Sequence, residues 1–89
     1  METTIQNQLA EDFKSLSISD IALEIRRNWK NVNYAAKPYL DAMDSMETAQ
    51  DTFGFASGKS VIGYFLANAS SFRGEIAKAI KKELLKRIK

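Results

Sequence analysis

The chain has 89 residues, a formal net charge of +2, no cysteine and no histidine; disulfides, thiolate zinc sites, Ser-His-Asp triads and histidine acid–base chemistry are therefore excluded. A chain this short holds material for one compact core, and nowhere does it approach the roughly 18 uninterrupted apolar residues of a membrane span. Its charge is split, with nine acidic and five basic side chains up to Asp51 giving −4, and eight basic against two acidic from Thr52 onward giving +6.

Ile5, Leu9, Phe13 and Leu16 form a helical stripe, which predicts a first amphipathic helix over residues 4–16. Residues 17–19 interrupt it. Ser19 is the expected N-cap of a second helix over about 20–30, with Asp20 in its first turn and Ile21, Ile25 and Trp29 repeating every four residues, alongside Ala22 and Val32. Asn31, Val32 and Asn33 end it. Pro38 is tolerated in a first turn, so a third helix begins between Tyr34 and Lys37 and runs to about Ala49. Its apolar arc is Tyr39, Ala42, Met43 and Met46, and Asp41, Asp44, Glu47 and Asp51 lie opposite.

The stretch Asp51 to Ser57, containing Gly54, reads as a loop. Ser57 caps a fourth helix from Gly58 to about Ala69, whose main face is Val61, Ile62, Phe65, Leu66 and Ala69. Its reverse, Ser60, Gly63 and Ala67, is small and uncharged, the pattern of a helix buried between neighbours. Ser70 or Ser71 caps a terminal helix over Phe72–Lys89. Phe72, Ile76, Ile80, Leu84 and Ile88 line one of its faces, and Lys78, Lys82, Lys86 and Lys89 another. No period-two alternation or hairpin dipeptide appears. The expectation is an all-α fold, one compact bundle of about five helices spanning residues 1–89, with the helix in 1–17 loosely attached. The N-terminus has acidic residues and no apolar leader segment, which points to the cytoplasm.

Five constellations bear on function. Gly54 to Ser60 has the outline of a phosphate-binding loop, but only three residues separate Gly54 from the Gly58-Lys59 pair where that motif has four, and no strand is predicted to precede it. Asp41, Asp44, Glu47 and Asp51, at spacings of three, three and four, place carboxylates along one helical face. Such a row can hold magnesium or act in acid–base work, and without convergent partners it reads as a solvated face or a dock for a basic partner. No catalytic residue, cofactor or metal is therefore assigned.

Leu23 points away from the Ile21/Ile25/Trp29 stripe and is ringed by Arg26, Arg27 and Lys30, a candidate anchor for a protein partner unless the first helix covers it. Gly63, Tyr64 and Ala67 form a second candidate, because small residues four apart let a helix approach closely. That helix is either the first helix of the same chain or belongs to a second copy. The alternative surface is nucleic-acid binding through Arg73, Lys78, Lys82, Lys86 and Lys89, where the fourth and fifth helices have a helix-turn-helix outline. The charge split is open to three readings: attraction of nucleic acid, a head-to-tail assembly, or attraction between the two halves.

Two blocks, IALEIRRNWKNVNYAAKPYLDAM from Ile21 to Met43 and GKSVIGYFLANASSFRGEIAK from Gly58 to Lys78, resemble small uncharacterised helical proteins carried by bacterial phages and other mobile elements. The resemblance implies a bacterial, mobile-element origin and brings no activity, cofactor or site residue with it. The expected function is a non-enzymatic protein-interaction module, self-associating or with another protein partner, with no membrane and no metal; the alternative is a nucleic-acid-binding accessory protein.

Overall fold

The computed structural model describes residues 11–53 and 56–89. Residues 11–14 are helical (α1) and are followed by α2 (Ile18–Asn28), α3 (Lys37–Met43), a short antiparallel pair β1 (Thr52–Phe53) and β2 (Ala56–Ser57), α4 (Gly58–Ala67) and α5 (Glu75–Arg87). The fold is an all-α bundle. Of the first predicted helix, Ile5 and Leu9 lie outside the described residues. Phe13 is buried in the core and Leu16 packs against it.

Helix α2 starts two residues earlier than its sequence suggests, because Ser17 and not Ser19 is the cap: its Oγ accepts from the Asp20 N–H at 3.1 Å. The earlier start brings Ile18 onto the buried face with Ile21, Ala22 and Ile25. The first N–H groups of a helix have no intrahelical acceptor. Here those of Ile18 and Ser19 donate to the Glu47 and Met46 carbonyls at 2.9 and 2.8 Å. The segment after α3 thus closes the start of α2.

That closure explains why α3 stops at Met43 instead of continuing to Ala49. Ser45 and Met46 turn through bonds to carbonyls three residues back, Ala42 and Met43, and the chain leaves the helix so that residues 46 and 47 can face α2. Asp51 then folds the loop from below, its carboxylate accepting from the Glu47 N–H at 2.8 Å. Leu40 joins Met43 and Met46 in the core, whereas Tyr39 and Ala42 are only half-buried. The apolar arc of α3 is therefore rotated toward Leu40.

Trp29 ends α2 in extended backbone and carries the core's aromatic cluster. Its ring stacks on Phe72 at 5.2 Å between centroids and meets Phe65 edge-on at 6.1 Å. Each such contact contributes about 0.5–1.5 kcal/mol beyond area burial. Phe72 is held before α5 rather than within it. Neither Ser70 nor Ser71 caps that helix; Gly74 does, at φ +111°, a left-handed conformation that disfavours other residues.

Helix α2 packs against α3 and α5, and α4 packs against the same two. Helices α3 and α5 have no comparable contact with each other, which places them diagonally across the bundle. The reverse of α4 is not buried between neighbours as its small residues suggest: Ser60 and Ala67 are exposed and Gly63 is half-exposed.

Two glycines of α4 make opposite predictions. A Cβ on Gly58 would lie 2.6 Å from the Ala49 carbonyl oxygen and 2.8 Å from that of Asp51, both rigid backbone atoms. A Cβ on Gly63 would meet nothing within 4 Å among the described residues. Gly58→Ala should destabilise by about 1–3 kcal/mol through overpacking, and Gly63→Ala should stabilise by about 0.5–1 kcal/mol through helix propensity. Thermal melts of the two variants should move in opposite directions.

Candidate functional site

The carboxylate row of the third helix does not persist as a row. Arg26 reaches across from α2 and takes two of its members, Nη2 donating to Asp41 Oδ1 at 2.7 Å and to Asp44 Oδ2 at 2.6 Å, with Nε to Asp44 Oδ1 at 3.4 Å. These bonds, Asp44's first and Asp41's second, raise the guanidinium pKa above its already high ordinary value. Asp51 is used inside its own loop, where it also accepts from the Thr48 hydroxyl at 3.3 Å. Asp41 and Asp44 thus face a guanidinium rather than a shared cation.

The candidate partner residues of α2 and α4 come to flank α3. On the α2 edge, Leu23 is 48% exposed, beside exposed Arg27 and Lys30 and half-buried Arg26. Arg27 also holds Glu24, one turn back on α2, at 3.0 Å. On the α4 edge, Tyr64 is 56% exposed and stacks on Tyr39 of α3 with centroids 5.4 Å apart. Gly63 and Ala67 lie beside it on the open side of α4. Among the described residues neither Leu23 nor the Gly63/Ala67 surface is covered by the first helix.

Tyr34, Pro38 and Tyr39 belong to the same surface and were not legible as such. Tyr34 is 90% exposed and, with Ala35, Lys37, Pro38 and Asp41, borders a shallow depression on the outside of α3. Its neighbour Asn33 pins the start of α3. Its side chain accepts from the Ala35 N–H at 3.1 Å and donates to the Asn68 carbonyl at the end of α4 at 3.0 Å.

On the opposite side, Lys78, Lys82, Lys86 and Lys89 are all exposed, as predicted from their spacing. Arg73 is also exposed and donates to the Ser70 carbonyl at 3.3 Å, closing the turn before α5. Lys81 leaves the ridge: its Nζ lies 5.8 Å from the Phe72 ring centroid, and burial, followed by the charge of Arg73, lowers its pKa. The ion pairs Arg26–Asp41, Arg26–Asp44, Arg27–Glu24 and Arg87–Glu83 each join residues from one half of the chain. They do not tie the acidic half to the basic half.

What does join the chain's ends is Arg87, which carried no signal in the sequence. Its Nη1 donates to the Leu16 carbonyl at 2.6 Å and its Nη2 to the Phe13 and Lys14 carbonyls at 3.0 Å, while Nε holds Glu83 at 2.7 Å. The guanidinium therefore caps the end of α1 from the end of α5. The cleft of about 720 Å³ beside it is lined by polar residues including Ser17, Ser19, Glu47 and Thr48. The first N–H groups of α2 at this cleft are already bonded to Met46, Glu47 and Ser17.

The phosphate-loop outline resolves into packing. Gly58 donates to the Asp51 carbonyl at 2.6 Å, and Ser57 caps α4 by accepting from the Ser60 N–H at 3.1 Å. Gly54 lies outside the described residues. Comparison with protein-family models, curated proteins and solved structures finds no match to this chain.

Replacing Arg87 separates charge from geometry. Arg87→Lys keeps the cation but loses the planar fork that serves three carbonyls and a carboxylate, and should cost about 1–3 kcal/mol. Arg87→Met also leaves Glu83 buried without its partner and should cost about 3–5 kcal/mol. Urea unfolding curves of the two variants should show that order.

Proposed function

We propose that the protein is a non-enzymatic protein-docking module that pairs with a second copy of itself across the outer surface of α3 and its two flanks. The observation that carries this reading is the exposed tyrosine surface, Tyr34 with the Tyr39–Tyr64 stack, on a face where Arg26 and Lys37 together offset the charges of Asp41 and Asp44. Tyrosines supply large contact areas at low entropic cost and are enriched at interfaces, whose centres are depleted of charge. Gly63 and Ala67 leave room for the close approach of a partner helix.

Electrostatics favour this face over the other for a symmetric pair. A two-fold contact sets each patch against its own copy. Through α5 it would oppose two rows of lysines. Through α3 it would place those rows at opposite poles of the dimer, because α3 and α5 lie diagonally across the bundle. Leu23 would then act as an apolar contact at the rim on the α2 side, with Arg27 and Lys30 beside it. A bacterial mobile-element origin is part of the same proposal and is carried by the two sequence blocks alone.

Sedimentation velocity over a concentration series tests it. The chain should pass from monomer to dimer with little dependence on salt, since the contact is neutral. Ala67→Glu and Tyr34→Ser should each weaken the dimer at least about tenfold, roughly 1.4 kcal/mol, without lowering thermal stability. A monomer at every concentration up to about 1 mM, the millimolar end of the affinity range, would remove this function.

A further inference from the structure

Independently of how α3 is used, we infer that the outer face of α5 binds the phosphate backbone of a nucleic-acid duplex, without reading its sequence. Lys78, Lys82 and Lys86 recur every four residues, about 6 Å of helical rise, and span about 12 Å along an arc of about 80°, with Lys89 following just beyond the end of the helix. All four are exposed. Among the described residues none of them has an ion-pair partner, whereas the carboxylates of α3 that could have balanced them are held by Arg26 on the far side of the bundle. The positive potential of this face is left for a partner of opposite charge.

The composition of the face decides between polyanions. An amphipathic helix that binds a membrane must offer an apolar side to the lipid. The apolar side of α5, Ala77, Ile80 and Leu84, is buried in the core, and Leu85 is the one large apolar side chain exposed on this helix. Single-stranded binding uses aromatic platforms for unstacked bases. The outer face carries lysines and no aromatic residue, and Phe72, the nearest ring, is buried against Trp29 under Lys81. A regular row of flexible ammonium groups on a helix matches a regular row of phosphates. Lysines acting as point charges favour backbone contact over the bidentate base recognition that arginine provides.

The test is a fluorescence-anisotropy titration of the whole chain against a labelled mixed-sequence DNA duplex between about 50 and 200 mM salt. Three or four phosphate contacts predict a slope of about −3 in log K against log salt. Lys78→Glu/Lys82→Glu should weaken binding at least about tenfold and flatten the slope by about two. Lys14→Glu/Lys59→Glu, which changes net charge equally at exposed positions of α1 and α4, should retain most of the affinity. Circular dichroism checks that each variant folds, and Lys86→Gln/Lys89→Gln provides a second pair. No binding at about 50 mM salt would overturn the inference. So would equal losses in the two Glu pairs, tighter binding to the single strand, or equal binding to polyglutamate or to phosphatidylserine vesicles.

Discussion

Arg26 is the side chain on which the arrangement of charge in this molecule depends. By bonding both Asp41 and Asp44 from the neighbouring helix it fixes how α3 lies against α2. It also offsets one of the two carboxylate charges on the α3 face, and Lys37 beside Asp41 offsets the other. At 33% side-chain exposure the clamp is screened by water, so its contribution to stability is about 1 kcal/mol rather than that of a buried pair. Its larger consequence is electrostatic. With Asp41 and Asp44 offset by Arg26 and by Lys37 beside them, the α3 face does not balance the lysine row of α5.

The ring of contacts that runs α2, α3, α4, α5 turns this local clamp into a property of the whole molecule. Helices α3 and α5 share neighbours and have no comparable contact with each other, so a tyrosine-bearing side and a lysine-bearing side face opposite directions. The first suits apolar contact between proteins and the second suits a polyanion. The two uses are compatible, because occupation of one face leaves the other open. A dimer through α3 would carry two lysine rows directed outward, and multivalent contact raises apparent affinity without any new bond. Arg87 supports the frame by tying the end of α1 to the end of α5, and the Met46 and Glu47 carbonyls do so by closing the start of α2.

The sequence made the helical class legible because Ile21, Ile25 and Trp29, and then Ile80 and Leu84, repeat at the helical period and are buried where that period places them, with Ile76 packed partly buried against them. Ser57 was legible as a cap for the same local reason. The errors arise where tertiary bonds override local signals. Ser17 outcompetes Ser19 as a cap because the earlier start buries Ile18 and lets Met46 and Glu47 supply the missing acceptors. Helix α3 ends early because those two carbonyls are needed there. Phe72 fits the apolar stripe of α5 by spacing, yet it lies in the preceding turn so that it can stack on Trp29.

The candidate surfaces were legible as residue types and not as places. Exposed lysines at a four-residue spacing declare themselves, but nothing in the chain shows that Asp41 and Asp44 are spent on Arg26, fifteen and eighteen residues away. Tyr64 could be singled out by its small neighbours. Its partner Tyr39 and the exposed Tyr34 gain meaning only when α3 is set between α2 and α4. Arg87 is the extreme case, since three of its acceptors are backbone carbonyls more than seventy residues earlier.

The most direct measurement is a double-mutant cycle of unfolding free energies for Arg26→Met and Asp44→Asn, repeated with Asp41→Asn. The clamp predicts a favourable coupling of about 0.5–1.5 kcal/mol in each cycle, the range for charge-assisted bonds that are partly exposed. It also predicts that the coupling shrinks as salt is raised. Additive effects within about 0.3 kcal/mol in both cycles would mean that Arg26 does not hold these carboxylates, and the neutral α3 face would go with it.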